Sequence, residues 1–313
     1  MLRSKFFFSW ALLALFFVGF SSCDDDDGTE TPPQTITEIA AGDTQFSTLV
    51  SLLQRVNLDA TLNGSGSFTV FAPTNAAFTA SGIDASQLTD EEVTEVLLYH
   101  VIGGLELPSA DIREGQTYVT SAAETGPGGT QLSLLVEKDA NGAVSVNGTA
   151  NVSTADVEAS NGVIHIIDND ILLPLDVVGH AAANSEFTSL VGALSTAPGG
   201  LVALLQADGP YTVFAPLNSA FADIQTTVDG LTPEQLATVL TYHVVPGLNV
   251  REAALTNGQV VPTAATGETF TVNINGEDVT ITDDAGNEVN VVLTDVQATN
   301  GVIHVLDKVL LPF

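Results

Sequence analysis

A chain of 313 residues, 45% apolar and only 14% charged, is long enough for about two ordinary domains, each able to bury a core without a metal or a disulfide. Seven lysines and arginines stand against 38 acids, a formal net charge of −31, which repels phosphate backbones and excludes a nucleic-acid binder. A single cysteine excludes an internal disulfide and a cysteine-rich zinc site, and the apolar content excludes a disordered acidic chain.

Residues 1–22 read as an export leader. Arg3 and Lys5 form a basic start, Phe6 to Phe20 an apolar run broken only by Ser9 and Gly19, and Ser21-Ser22 precede Cys23. The run falls short of the roughly 20 residues that a membrane-spanning helix needs. The sole cysteine directly after Ser-Ser resembles a bacterial lipoprotein box, with Phe20 where that box usually carries leucine. The resemblance implies a signal peptide cleaved before Cys23 and lipidation of Cys23, giving a stable anchor. Residues 23–35 then form a tether: Asp24 to Asp27 cannot pack against one another, and Pro32-Pro33 blocks a helix. An acidic run beside a lipidated cysteine is similar to the surface-export signal of Bacteroidetes lipoproteins. By that resemblance the chain leaves by the general export pathway and is held, surface-exposed, on the outer membrane. Loss of the leader removes Arg3 and Lys5 and no acid, leaving five basic residues against 38 acidic ones, about −33.

The remainder is one unit written twice. Phe68-Thr-Val-Phe-Ala-Pro-Thr-Asn-Ala-Ala-Phe78 returns as Tyr211-Thr-Val-Phe-Ala-Pro-Leu-Asn-Ser-Ala-Phe221, and Tyr99-His100-Val101 returns as Tyr242-His243-Val244. Asn161-Gly-Val-Ile-His-Ile-Ile-Asp168 returns as Asn300-Gly-Val-Ile-His-Val-Leu-Asp307. A period this long means tandem domains, since solenoid repeats run to roughly 20–50 residues. The domains are placed at 36–175 and 176–313.

Each copy opens with a helical stripe, Phe46, Leu49, Val50 and Leu53 in the first and Phe187, Leu190, Val191 and Leu194 in the second. A short strand from Phe68 to Phe71 ends at Pro73, and Thr74 or Asn75 can cap a short helix that turns Phe78 toward the core. Thr89-Asp-Glu-Glu92 and Thr232-Pro-Glu-Gln235 fit capping boxes, so a longer helix follows and ends at Tyr99-His100 or Tyr242-His243. Strands come next. Leu132–Glu137 and Ala143–Asn147 flank a Lys-Asp-Ala-Asn-Gly turn, Phe270–Asn275 and Val279–Thr282 flank Gly276-Glu-Asp, and Glu288–Leu293 follows. The closing strand, Val163–Ile167 or Val302–Leu306, is apolar at nearly every position and therefore central. Early helices and late strands predict an α+β fold, and the short linker Pro174–Val178 predicts a fixed mutual orientation of the copies.

The Thr-Val-Phe-Ala-Pro-x-Asn-x-Ala-Phe block, the central Tyr-His and the closing Asn-Gly-Val-Ile-His-x-x-Asp together resemble the fasciclin (FAS1) domain, in both copies. The resemblance implies two tandem fasciclin-like domains, each a β-sandwich or wedge of about seven strands with helices packed over one end. It also implies cell adhesion without shared catalytic chemistry: binding of extracellular matrix, cell-surface proteins or polysaccharide. A rival reading is a carrier of a small apolar ligand, a lipid or pigment, in a groove of the fold.

The resemblance lends Tyr99-His100 and Tyr242-His243 a candidate ligand-binding role. Spacing qualifies it. His100 shares a helical face with Val93, Val96 and Leu97, and His243 with Leu236, Val239 and Leu240, so both imidazoles turn inward and Tyr99 and Tyr242 are the more exposed members. His165 and His304 sit in apolar strands and are read with Asp168 and Asp307 as structural, alongside core Phe71, Phe78, Phe214 and Phe221. A strand residue and one three positions on point to opposite faces, and no nucleophile accompanies either pair. His180 stands alone. Asp283-Asp-Ala-Gly-Asn-Glu288 lacks calcium-loop spacing and reads as a turn. The triplet at Asn147 matches a glycosylation acceptor, which a bacterial leader makes irrelevant. No catalytic residue, metal or cofactor is expected, and the protein is expected to be a monomer attached to the membrane only through its lipid.

Overall fold

The computed structural model describes residues 33–313, so the expected leader, the lipidation at Cys23 and the tether as far as Pro32 lie outside the described residues. The last tether positions belong to the fold: the Gln34 carbonyl accepts from Ser160 N, and Thr35 caps the first helix.

The first half runs α1 (Ile36–Gly42), α2 (Ser47–Arg55), α3 (Asp59–Leu62), β1 (Phe68–Pro73), α4 (Asn75–Ser81), α5 (Asp90–Tyr99), then β2 (Val101–Gly103), β3 (Gly115–Thr120), β4 (Ser133–Lys138), β5 (Val144–Val146), β6 (Ala150–Ala159) and β7 (Gly162–Ile167). The second repeats it with one more helix: α6 (Val177–Ala183), α7 (Thr188–Thr196), α8 (Leu201–Leu205), β8 (Tyr211–Pro216), α9 (Asn218–Asp223), α10 (Gln225–Asp229), α11 (Pro233–Tyr242), β9 (Val244–Pro246), β10 (Gln259–Pro262), β11 (Thr269–Asn275), β12 (Asp278–Thr282), β13 (Glu288–Ala298) and β14 (Gly301–Leu306).

Local chemistry starts the helices. Thr89 accepts from Glu92 N while the Glu92 carboxylate takes Thr89 N, and Thr232 and Gln235 make the same reciprocal pair with Pro233 at the first helical position. Thr74 caps α4 through Ala77 N. Replacing Thr89 by alanine leaves the Glu92 amide without its acceptor, and an expected loss of about 1 kcal/mol is readable as a lowered urea midpoint. An unchanged midpoint would show that α5 does not depend on its cap.

Each half forms a seven-stranded mixed sheet, in the orders β2-β1-β7-β6-β5-β4-β3 and β10-β11-β12-β13-β14-β8-β9. The closing strands β7 and β14 are paired on both sides, parallel to β1 or β8 and antiparallel to β6 or β13. Both faces of these strands are covered, which is why the residues other than His165 and His304 read as one apolar run. Val70, Ala72 and Ile164 join the helix-side cluster with Leu49, Leu53, Val93 and Leu97. Phe71 and Ile167 join a second cluster enclosed by the strands with Leu134, Val136 and Val146. The second half has the same two clusters.

Residues 33–313 form one compact unit. Ser133 Oγ accepts from Gln297 N at 2.9 Å, Asn184 Nδ2 donates to Tyr118 Oη at 3.1 Å, and Gln116 Nε2 donates to Ser185 Oγ at 2.9 Å. The linker is itself engaged, Leu175 O accepting from Thr299 N and Asp176 capping α6.

Candidate functional site

The Tyr-His pair closes α5 in the first half and α11 in the second. His100 Nδ1 lies 2.7 Å from Val96 O, and Nε2 accepts from Leu172 N at 2.9 Å. His243 repeats this with Val239 O at 2.7 Å and Leu310 N at 2.9 Å. A carbonyl on one nitrogen and an amide donor on the other admit only the neutral ring protonated on Nδ1. Burial drives both imidazoles down to about 4. The helix end is thereby bonded to the closing Leu-Leu-Pro segment of the same half.

Tyr99 and Tyr242 are not the exposed members that helical spacing suggests: both are completely buried. The last turn of each helix enters the gap between the two hydrophobic clusters, so the faces carrying Leu97 and Tyr99 are covered by different neighbours. Tyr99 Oη donates to Ser133 O at 2.9 Å and accepts from Asn147 Nδ2 at 3.0 Å; Tyr242 Oη donates to Thr269 O at 2.6 Å and accepts from Asp284 N at 3.1 Å. Burial raises both phenols, Tyr242 to about 12. None of the four Tyr-His residues presents an atom to a large partner.

His165 and His304 are buried in β7 and β14, stacked near Phe71 and Phe214 with ring centroids 5.5 and 5.2 Å apart. Their Nε2 atoms bond Leu107 O at 2.9 Å and Val250 O at 2.8 Å, and burial lowers the His304 imidazole. Asp168 and Asp307 do not share the core with them. Asp168 is exposed and Asp307 half-buried at the strand ends, where Asp307 receives Asn290 N and Nδ2. A carboxylate at these positions keeps its hydration, which the interior could not replace. Phe71, Phe78, Phe214 and Phe221 are buried.

Asparagines of the repeated blocks, of which only Asn75 had an expected role, as a cap that falls to Thr74 instead, do comparable structural work. Asn161 Oδ1 receives Ile36 N while Nδ2 donates to Leu62 O and Gly64 O, tying the start of α1 and the end of α3 to the sheet. Asn300 serves Val177, Leu205 and Ala207 in the same way. Asn75 and Asn218 receive the amides of Thr48 and Ser189. The signal was their recurrence in both copies. Asn147 is buried, with Oδ1 receiving Leu135 N and Nδ2 on Tyr99 Oη, so it has no free amide for a glycan. Asp283 is saturated by Asn287 N, Asn287 Nδ2 and Leu311 N, as a turn requires. Among the described residues no three His, Cys, Asp or Glu are placed to hold a metal ion.

The accessible surface of the described residues is predominantly acidic and includes the following recesses. Arg55 pairs with Asp90 at 2.8 Å, Arg251 with Asp295 at 3.2 Å, Lys138 donates to Ser109 O and Ile112 O, and Lys308 donates to Glu288 O. A cleft of about 600 Å³ lies between the halves, walled by Gln116, Tyr118, Asn184, Leu217 and Val292. One of about 450 Å³ beside α5 collects Asp90, Glu91, Glu95 and Glu124. The third, about 200 Å³, is almost wholly apolar. No helix among the described residues is long and apolar enough to cross a membrane.

The fasciclin domain model matches residues 44–174 and 185–312. Protein sll1483 of Synechocystis sp. is 41% identical over 143 residues, covering 44% of this chain and 74% of that protein. The transforming growth factor-beta-induced protein ig-h3 of Sus scrofa is 31% identical over 259 residues, which is 80% of this chain but 35% of ig-h3. Among solved structures, the FAS1 domain pair from the insect cell adhesion molecule Fasciclin I aligns with a TM-score of 0.50, at 20% identity, over 88% of this chain and 95% of that one.

Proposed function

The chain belongs to the fasciclin domain family, with two copies in tandem, and on that premise we propose that it is a non-enzymatic adhesion and binding module of the cell surface. The family match over both halves carries this reading. The insect relative of the same two-domain fold, itself a cell adhesion molecule, supports it. So does the commitment of the motif tyrosines and histidines to internal partners, which leaves recognition to the outer surface. The anchor in this reading is lipidated Cys23, behind a cleaved leader and an acidic tether on the outer membrane.

The surface chemistry narrows the partner. With four of its five basic residues beyond the leader bonded internally, the exposed field is dominated by carboxylates. Matrix or cell-surface proteins with basic patches, or acidic polysaccharides bridged by divalent cations, are the complementary targets. Two copies facing one partner would add avidity. The test is an array of glycans and matrix proteins probed with the full chain, displayed multivalently, at low and high salt. Retention that falls as salt rises is expected; no retention on any target at low salt would refute adhesion.

One observation favours the rival. The apolar recess among α7, α8 and α11 is lined by Leu194, Leu201, Leu204, Leu205 and Leu240, and Leu204 stands 57% exposed at its rim. At about 200 Å³ it is below the roughly 300–1,000 Å³ of drug-sized sites, so it suits an alkyl tail. Native mass spectrometry of protein from its own host separates the readings, a bound small molecule favouring the carrier.

A further inference from the structure

His180 stands where the first copy has Ile39, four residues after the capping residue of the equivalent helix. It is 1% exposed, and neither ring nitrogen has a hydrogen-bond partner. Its ring lies 5.9 Å, centroid to centroid, from that of Tyr118 on β3 of the other half. Tyr118 in turn packs against the helix-side cluster of the second half. A buried polar group without a partner costs roughly 1–3 kcal/mol even when neutral. At a seam between domains that cost is relieved by separation, with no need to unfold either half.

We propose that His180 is a proton-operated latch: neutral, it lets the two halves dock through β3, β4, α6 and β13, and protonated, it drives them apart.

The surroundings provide little to hold a charge: only the Gln297 main chain favours the imidazolium, and it makes no hydrogen bond to the ring. From β3 the ring faces Tyr118, whose phenol burial raises to about 12 and which accepts Asn184 Nδ2. From β4 and β13 the seam presents Ser133 and Gln297, joined to each other by Gln297 N to Ser133 Oγ. On its own helix Asp176 is spent on capping, receiving Gly179 N at 2.6 Å. Arg113, Glu137 and Glu186 line the adjoining cleft, and none bonds the ring. The seam has no slack: a β-carbon on Gly148 would come within 2.7 Å of Ala183 O at the end of α6. An imidazolium here is therefore a buried, unpaired cation.

Burial holds the docked imidazole down to about 4, partly offset by the Gln297 main chain, against about 6.5 in water. A lowered value in the docked state means docking is intact above about 6.5 and weakens as the pH falls. The docking equilibrium should drop about thirtyfold by about pH 5.

The test is energy transfer across the seam. The full chain in detergent, with Cys23→Ser, carries a donor and an acceptor on Asn141→Cys and Glu277→Cys, both exposed turns of opposite halves. Transfer is expected to hold constant above about pH 6.5 and to shift between there and about pH 4.5, before far-UV circular dichroism changes. His180→Ile, the first copy's residue, should abolish the shift, and so should His180→Gln should isoleucine disturb folding. A pH response in either variant that superimposes on the parent's, no shift in the parent, or a shift coincident with loss of secondary structure would each overturn the latch.

Discussion

Gly162→Ala is expected to destabilise the protein by more than about 3 kcal/mol, the largest effect of any single-methyl change in the first half. Gly162 begins β7 opposite Phe68 in the parallel ladder, with φ +149°, a region open essentially to glycine. A β-carbon there would sit 2.0 Å from Phe68 O. Neither backbone can retreat. Phe68 N bonds Asn161 O at 3.0 Å, and the Asn161 side chain is bonded to Ile36, Leu62 and Gly64. Relief of the clash must therefore loosen the sheet and the α1–α3 cover together. Gly301→Ala meets Tyr211 O at 2.2 Å and should be nearly as harmful. Gly103→Ala is the control: nothing lies within 4 Å of its β-carbon, and a change within about 0.5 kcal/mol is expected. Equilibrium urea unfolding reads all three. A Gly162→Ala midpoint indistinguishable from that of Gly103→Ala would refute the argument.

The second large effect is acid-linked. His100 and His243 are neutral in the fold, held to about 4 by burial, while an unfolded histidine titrates near 6.5. The native values are depressed, so the unfolded chain takes up the protons first. The stability they confer is complete above about 6.5 and is lost as the pH falls toward 4, by about 3 kcal/mol for each imidazole. The window lies above most carboxylate titrations, so relief of acidic self-repulsion opposes it only at its lower end. His243→Leu separates the contributions. Near neutral pH it strands Leu310 N and Val239 O, costing roughly 2–5 kcal/mol, and it should also reduce the slope of stability against pH between 6.5 and 4.5. A parent slope of zero there, or a His243→Leu slope equal to the parent's, would be incompatible with these braces. His180 titrates in the same interval but acts on the seam, so its variants change interdomain transfer and leave most of this slope.

Much of the scaffold was legible because its signals are local. A capping box needs only Thr89 and Glu92, three residues apart, and it starts α5 where expected. The run Val163–Ile167, apolar at every position but His165, read as a central strand, and β7 is paired on both sides. By contrast β3 and β10 carry no clear alternation. They are edge strands shaped by what they pair with, and the sequence reading has no element there.

The chain's own order of residues determined its duplication, its helix starts, its central strands and its acidity, since each depends on composition or on neighbours a few positions away. Only the tertiary structure decided what the motif side chains do. The partners of His100, Asn161 and Tyr99 lie tens of residues distant in the chain, and no periodicity announces them. It also decided that Tyr99 and Tyr242 are enclosed. A helical pattern reports one apolar face, whereas the end of a helix wedged between two cores is buried on two, with Leu98 and Thr241 left half-exposed between them.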